Sequence, residues 1–195
     1  MSSTPGVIVG IVLAAGLSRR MGQRKLLLPL DGTPIVRWSV DAVRREVDRI
    51  VAVVGPGDAE VRAALGDLPV TFAINPHPED GQGASISCGI AALDATVRAV
   101  VVALGDQPRL PSGVIPSLRR AFERTGKAIV APVYRGTQGT PVLFSAAVFP
   151  ELRALTGDAG ARSVVRRERS RVELVPFDLP MPLDVDTPED YAKLV

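Results

Sequence analysis

Val7-Ile8-Val9-Gly10-Ile11-Val12-Leu13 is continuously apolar and mostly β-branched. A run without polar alternation suits a strand buried on both faces of a parallel sheet, and such a sheet needs helices on both sides. The chain that follows must leave the sheet at its carboxyl end, where open α/β folds bind ligands. That exit runs from Ala14 to Lys25 and holds glycines, a hydroxyl, arginines and a lysine in one loop. Gly16 and Gly22 allow backbone approaches that a Cβ forbids, so amide hydrogens can face phosphate oxygens, and Arg20 and Lys25 add charge. The loop reads as a nucleotide site; a basic surface loop that merely caps a strand is the alternative.

Spacing removes the commoner phosphate motifs. Gly16 to Gly22 is one residue too long for a Walker A loop, and no Ser or Thr follows Lys25. Gly55-Pro56-Gly57 lacks the third glycine of a dinucleotide fingerprint, because Glu60 occupies its position.

Beyond the loop, apolar runs alternate with helical patterns, the signature of βαβ units and a largely parallel sheet. Thr33 and Pro34 suit an N-cap and a first helical residue, with Val36, Val40, Val43 and Val47 on one stripe. Strands are predicted over Ile50–Val54, Val70–Ile74, Ala99–Leu104, Ala128–Tyr134, Val142–Phe144 and Val172–Phe177. Helices are predicted from Asp58 to Leu65, from Ser85 toward Leu93, from Ser112 through Arg124 and from Pro188 to Val195. The strand ending at Leu104 delivers Gly105-Asp106 to the same rim as the first loop.

A length of 195 residues suits one domain over 1–195, and 46% hydrophobic residues argue for a packed globule. A formal net charge of +2 gives no reason to expect a nucleic-acid or membrane partner, although Arg19, Arg20, Arg24 and Lys25 can concentrate a small anion. The single cysteine, Cys88, excludes an internal disulfide framework and reads as a small buried hydrophobe. His77, between Pro76 and Pro78, reads as an exposed loop residue. The run from Gly6 to Leu17 has no Lys or Arg before it and is too short to span a bilayer, so a soluble, cytoplasmic protein is expected.

Leu13 to Lys25 also matches the pattern L-A-A-G-x-S-x-R-M-G-x-x-K, continued by Leu26 to Pro34. Further motifs recur over nearly the whole chain: Gly81-Gln82-Gly83-Ala84-Ser85, Gly105-Asp106-Gln107-Pro108, Gly139-Thr140-Pro141-Val142, Gly157 to Arg162 and Asp184 to Asp190. With these the chain resembles the molybdenum cofactor nucleotidyltransferase family, and within it the cytidylyltransferase branch. The resemblance implies a single-domain, Rossmann-like α/β fold whose mostly parallel central sheet is flanked by helices. It implies that the terminal phosphate of molybdopterin attacks the α-phosphate of CTP and pyrophosphate leaves, with Mg²⁺ as cofactor. Hand-over of the product to a molybdoenzyme or its chaperone would follow. GTP as donor, another phosphorylated metabolite as acceptor, and a non-catalytic molybdopterin carrier stay open.

The resemblance also assigns roles. Leu13, Ala14, Ala15 and Gly16, with Gly83 and Ser85, would bind the nucleotide, while Arg20 and Lys25 balance phosphate charge. Asp106 would ligate the metal, since Mg²⁺ binds through one or two carboxylates plus substrate phosphates. Asp186 is favoured as the second carboxylate. Asp184 and Asp186 alternate along an extended segment and are expected to point to opposite faces, so that at most one reaches the metal. Asp190 is expected in the first turn of the last helix, stabilised by its dipole. Arg19 and Arg24 fall at variable motif positions and are expected to be solvated. Related guanylyltransferases typically carry a glycine where Ala15 stands, and the added methyl disfavours a purine by about 1–3 kcal/mol at most. Gly139, Thr140 and Arg162 are expected on the acceptor side. There the chain departs from the pattern, with Gln138-Gly139-Thr140-Pro141 in place of the Arg-Gly-His-Pro of many relatives.

Overall fold

The computed structural model describes residues 6–18 and 20–195. In chain order the elements begin with β1 (Val7–Leu13), the short strands β2 (Pro29–Leu30) and β3 (Thr33–Pro34), α1 (Ile35–Arg44), β4 (Arg49–Val54), α2 (Ala59–Leu65) and β5 (Val70–Ile74). They continue with α3 (Gln82–Ala91), β6 (Val97–Leu104), α4 (Val114–Thr125), β7 (Ile129–Tyr134), β8 (Thr137–Gln138) and β9 (Val142–Ser145). The last are α5 (Phe149–Arg153), α6 (Gly160–Arg167), β10 (Val172–Phe177) and α7 (Pro188–Ala192).

One sheet has the order β10-β7-β9-β6-β1-β4-β5, with β8 paired to β7. β1 lies parallel between β4 and β6, and the β4/β5 and β7/β10 pairs are parallel as well. Only β8 and β9 run against their neighbours in it. This is the mostly parallel α/β fold that the alternation of apolar runs implied.

Both faces of the sheet are covered, which is why β1 carries no polar alternation. Ile8 and Val12 face a core completed by Val36 and Val40 of α1, Leu65 of α2 and Leu118 of α4. Val9 and Ile11 face the opposite core, with Ile86 and Ile90 of α3, Leu152 of α5 and Val164 of α6. Each such side chain contributes about 1.5–3 kcal/mol on full burial.

Several boundaries move. Thr33 and Pro34 do not start α1; they pair with β2 across Asp31-Gly32, and the helix opens at Ile35. Both turn residues have positive φ, 50° and 76°, as a tight hairpin needs. α3 begins at Gln82 rather than Ser85, directly after Gly81 at φ 90°, so the small residues form the helix's first turn instead of a loop. α4 starts at Val114 behind Gly113, not behind Ser112, and α7 ends at Ala192. α5 and α6 were not anticipated, because Pro150 and Gly160 mask the onset of their apolar stripes. Among the described residues no helix is long and apolar enough to cross a membrane.

The topology brings two strand exits together. Leu13 and Leu104 are register partners at the ends of β1 and β6. The Gly105 amide donates to the Leu13 carbonyl at 2.9 Å, an approach that a side chain would block, since a Cβ on Gly105 would stand 2.9 Å from that same oxygen. Val185 then donates to the Asp106 carbonyl at 3.1 Å and buries its side chain with Met21, Leu30 and Ile35, pinning the 184–186 segment to the rim.

Candidate active site

A cleft of about 460 Å³ opens at these strand ends. That is within the size range of small-molecule sites. Leu13, Ala15 and Gly16 of the 13–18 loop line it together with Asp106, Asp184 and Asp186. Arg20, Lys25, Ser85 and Asp158 complete it. Ala15 and Gly16 also line a smaller pocket of about 210 Å³ beside Gly55-Pro56-Gly57, so the loop separates two chambers; Ala14 faces only the smaller one.

Lys25 stands at the centre. It opens a single helical turn, Lys25–Leu27, whose Leu26 is buried, and its amide donates to Ser18 Oγ at 3.4 Å. Only 8% of the residue is exposed. Its ammonium donates to Asp106 Oδ2 and, at 2.8 Å, to Asp186 Oδ1. Burial alone lowers its pKa, but Asp106 and then Asp186 outweigh that, and the net shift is upward. Burial likewise pushes Asp186 up, yet the Lys25 hydrogen bond and charge, with Arg20 at 2.8 Å, hold it below the usual carboxylate range. Lys25 was expected to balance phosphate charge; in the structure it neutralises both proposed metal ligands.

Asp184 and Asp186 do not face opposite ways, as the sequence reading had them: both line the cleft. Residues two apart in an extended chain share a face, so the intervening Val185 is the one that turns away, into the core. Asp184 is raised in pKa by burial first and by the Asp106 charge next, against the opposing effect of a hydrogen bond from Gln107 Nε2 at 2.6 Å. Asp106 Oδ1 is buried without a hydrogen-bond partner among the described residues. An orphaned carboxylate oxygen beside further carboxylates is a donor set suited to Mg²⁺ or Mn²⁺. Among the described residues no three His, Cys, Asp or Glu side chains form a ready metal cage, so substrate oxygens would have to complete the coordination.

The remaining assigned residues divide. Ser85 lines the cleft but is buried, its hydroxyl accepting from Asn75 Nδ2 at 3.0 Å. Gly83 lies outside the cleft lining; a Cβ there would meet the Thr156 and Gly157 backbone at 2.9 Å. Thr140 is tied inward, donating to Gln107 Oε1 at 2.8 Å, and Gly139 packs on Tyr134 and Met181. Arg162 is exposed on α6, outside the cleft lining, whereas Asp158 just before that helix is part of it. Arg24 is half-exposed and holds Glu60 at 2.8 Å and the Gly57 carbonyl at 3.1 Å, a surface tether; Arg19 lies outside the described residues. Asp190 caps α7 reciprocally with Thr187, His77 is exposed, and burial raises the Cys88 thiol pKa.

Two polar residues were missed. Gln107, 4% exposed, joins Thr140 to Asp184, and Asn75, 1% exposed, joins Ser85 to the His77 amide. The Gly-Asp-Gln-Pro motif displayed Gln107, but a buried amide's partners depend on the tertiary fold.

A family model described as the MobA-like NTP transferase domain matches residues 10–172. The purine catabolism protein PucB of Bacillus subtilis (strain 168) is 30% identical over 199 residues, covering 94% of this chain and 94% of that protein. The molybdenum cofactor guanylyltransferase of Rhodobacter capsulatus is 33% identical, over 95% of this chain and 94% of its own. The molybdenum cofactor cytidylyltransferase of Escherichia coli (strain K12) is 26% identical, over 93% and 92%. Among solved structures, Rv0371c of Mycobacterium tuberculosis H37Rv superposes with a TM-score of 0.87 at 33% identity over 98% of both chains. Its manganese complex gives 0.81 at 30%, over 96% of this chain and 97% of that one.

Proposed function

This chain belongs to the MobA-like NTP transferase family, and we propose that within it the protein transfers a cytidylyl group from CTP to the terminal phosphate of molybdopterin, using Mg²⁺. The observation that carries the reading is the meeting of the 13–18 loop, Lys25, Asp106 and Asp186 in one cleft at the ends of β1 and β6. Nucleotidyl transfer to a phosphate needs no protein nucleophile; it needs a held triphosphate and compensation for developing charge. The loop would hold the triphosphate, with Arg20 and Lys25 against its oxygens. Asp106 and Asp186 would hold the divalent cation, which when bound neutralises charge on the α-phosphate and the leaving pyrophosphate. As the acceptor oxygen bonds to the α-phosphorus, the bond to the bridging oxygen breaks and pyrophosphate departs.

The choice of base rests on Ala15, which is 5% exposed and lines both chambers, so its methyl takes room where a glycine would leave it. Two relatives of near full length carry guanylyl transfer and cytidylyl transfer in their names, which makes GTP the competing donor. Pyrophosphate release from purified protein with Mg²⁺ and molybdopterin tests the reading. CTP should support release about tenfold better than GTP, within the range a methyl-sized pocket change provides. Faster release with GTP moves the donor, and release that needs a different phosphorylated acceptor moves the acceptor. No release under any of these conditions returns the protein to a carrier role.

A further inference from the structure

We propose that Lys25 occupies the metal site electrostatically until a polyphosphate draws it away, so that divalent-cation and nucleotide binding are coupled through this one side chain. The proposal rests on Asp106 and Asp186 as the metal-holding carboxylates, and not on CTP or molybdopterin.

The ammonium lies between the two carboxylates a divalent ion would use, and 8% exposure leaves it little water to turn to. It performs a necessary task there. Asp106, Asp184 and Asp186 all line the cleft, Asp106 and Asp186 within reach of the same ammonium, and the charges of both are felt at Asp184. Without a cation between them, carboxylates this close would repel. A divalent ion can perform the same task, but it cannot share Asp106 Oδ2 and Asp186 Oδ1 with an ammonium at contact distance. Metal entering alone must therefore displace Lys25 and leave a largely buried cation without a partner, which is costly.

Polyphosphate removes that cost. Arg20 reaches Asp186 Oδ2 from the same loop, so the rim that lines the cleft carries two cations whose present partners are carboxylates. Phosphate oxygens against the loop give both a new anionic partner and free the carboxylate oxygens for the metal. The unpartnered Asp106 Oδ1 offers the metal an acceptor that Lys25 does not use. Linkage then requires that each ligand tighten the other equally.

The test measures Mn²⁺ affinity by the paramagnetic resonance of free Mn²⁺, with no nucleotide or acceptor present, in wild type, Lys25→Met and Lys25→Gln. Both uncharged variants should bind Mn²⁺ about tenfold more tightly than wild type, a coupling of the usual allosteric size. Thermal melting gives a second readout: each metal-free variant should melt below wild type and gain more from saturating Mn²⁺ than wild type does. Inorganic pyrophosphate should tighten Mn²⁺ binding less in the variants than in wild type. Equal Mn²⁺ affinity in all three proteins overturns the proposal and leaves the proposed cytidylyl transfer untouched. Loss of CTP-dependent release with the Mn²⁺ pattern intact does the reverse.

Discussion

The residues assigned to the nucleotide and metal and those assigned to the acceptor are held in different ways. On the donor side, the 13–18 loop, Lys25, Asp106 and Asp186 come from distant parts of the chain and meet through charge. The residues assigned to the acceptor side disperse: Thr140 turns inward to Gln107, Gly139 packs on Tyr134, and Arg162 stands exposed on α6. Paired charges at fixed strand ends make a preorganised electrostatic site, the kind that acts on a transition state. Neutral hydrogen bonds and packing, by contrast, hold Thr140 and Gly139 away from the cleft lining. On the proposed function the charged group would carry the chemistry, and Gln107 connects it to the neutral group through Asp184 and Thr140.

The largest effect should follow from breaking the charged side. Asp106→Asn keeps the size of the side chain but removes the charge that pairs with Lys25 and the oxygen that would face the metal. Turnover should fall about 10³-fold, the upper end for loss of one preorganised electrostatic group. Pyrophosphate release measures it, with unchanged circular dichroism showing that the fold persists. A fall under tenfold would mean that the charged side is not where the chemistry lies.

Severing the link comes next. Gln107→Leu leaves the Thr140 hydroxyl without its acceptor and Asp184 without its donor. The expected result is about a tenfold loss in kcat/KM, with KM for the acceptor rising and KM for CTP within about twofold, as for an interaction made with one substrate only. If both KM values move together, the network merely supports the fold.

Asp184→Asn should stabilise the metal-free protein at neutral pH. The Asp184 pKa is raised in the fold, by burial and then by Asp106, so the folded state binds its proton more tightly than the unfolded chain does. Stability then rises as pH falls through the folded pKa, and at neutral pH the ionised group carries a penalty. Asparagine removes the charge and still accepts from Gln107. At pH 7 the metal-free melting temperature should rise by about 2 °C, and the gain over wild type should shrink as Asp184 becomes protonated at lower pH.

The same contrast explains what was legible in the sequence. β1, β4 and β6 could be read because burial on both faces leaves runs that are apolar apart from Gly10, Arg49 and Arg98. The hairpin at Asp31-Gly32 carried its own signal, two turn residues suited to positive φ, yet Thr33-Pro34 equally suits the start of a helix. Asp184 and Asp186 were given the wrong relative direction although the period of an extended chain decides it. Lys25 lies 81 residues from Asp106 and 161 from Asp186, so their ion pairs are a property of strand order and no local pattern contains them. Gln107 was visible as a motif letter, but its two partners come from β9's approach loop and from the segment before α7.

The smallest effect tests whether the acceptor side reaches as far as α6. Arg162 sits in the first turn of that helix, where the dipole disfavours a cation, and it is exposed. Keeping it there has no stabilising return, so Arg162→Ala should leave the melting temperature unchanged or slightly higher. If the side chain meets a phosphate of the acceptor across solvent, the loss is that of an exposed ion pair, about threefold in KM for the acceptor, and it should fade at high salt. A screened, acceptor-only change would give the acceptor site one charged contact beyond the cleft lining. An unchanged KM at low salt would end the acceptor side at Asp158, the residue before α6 that lines the cleft itself.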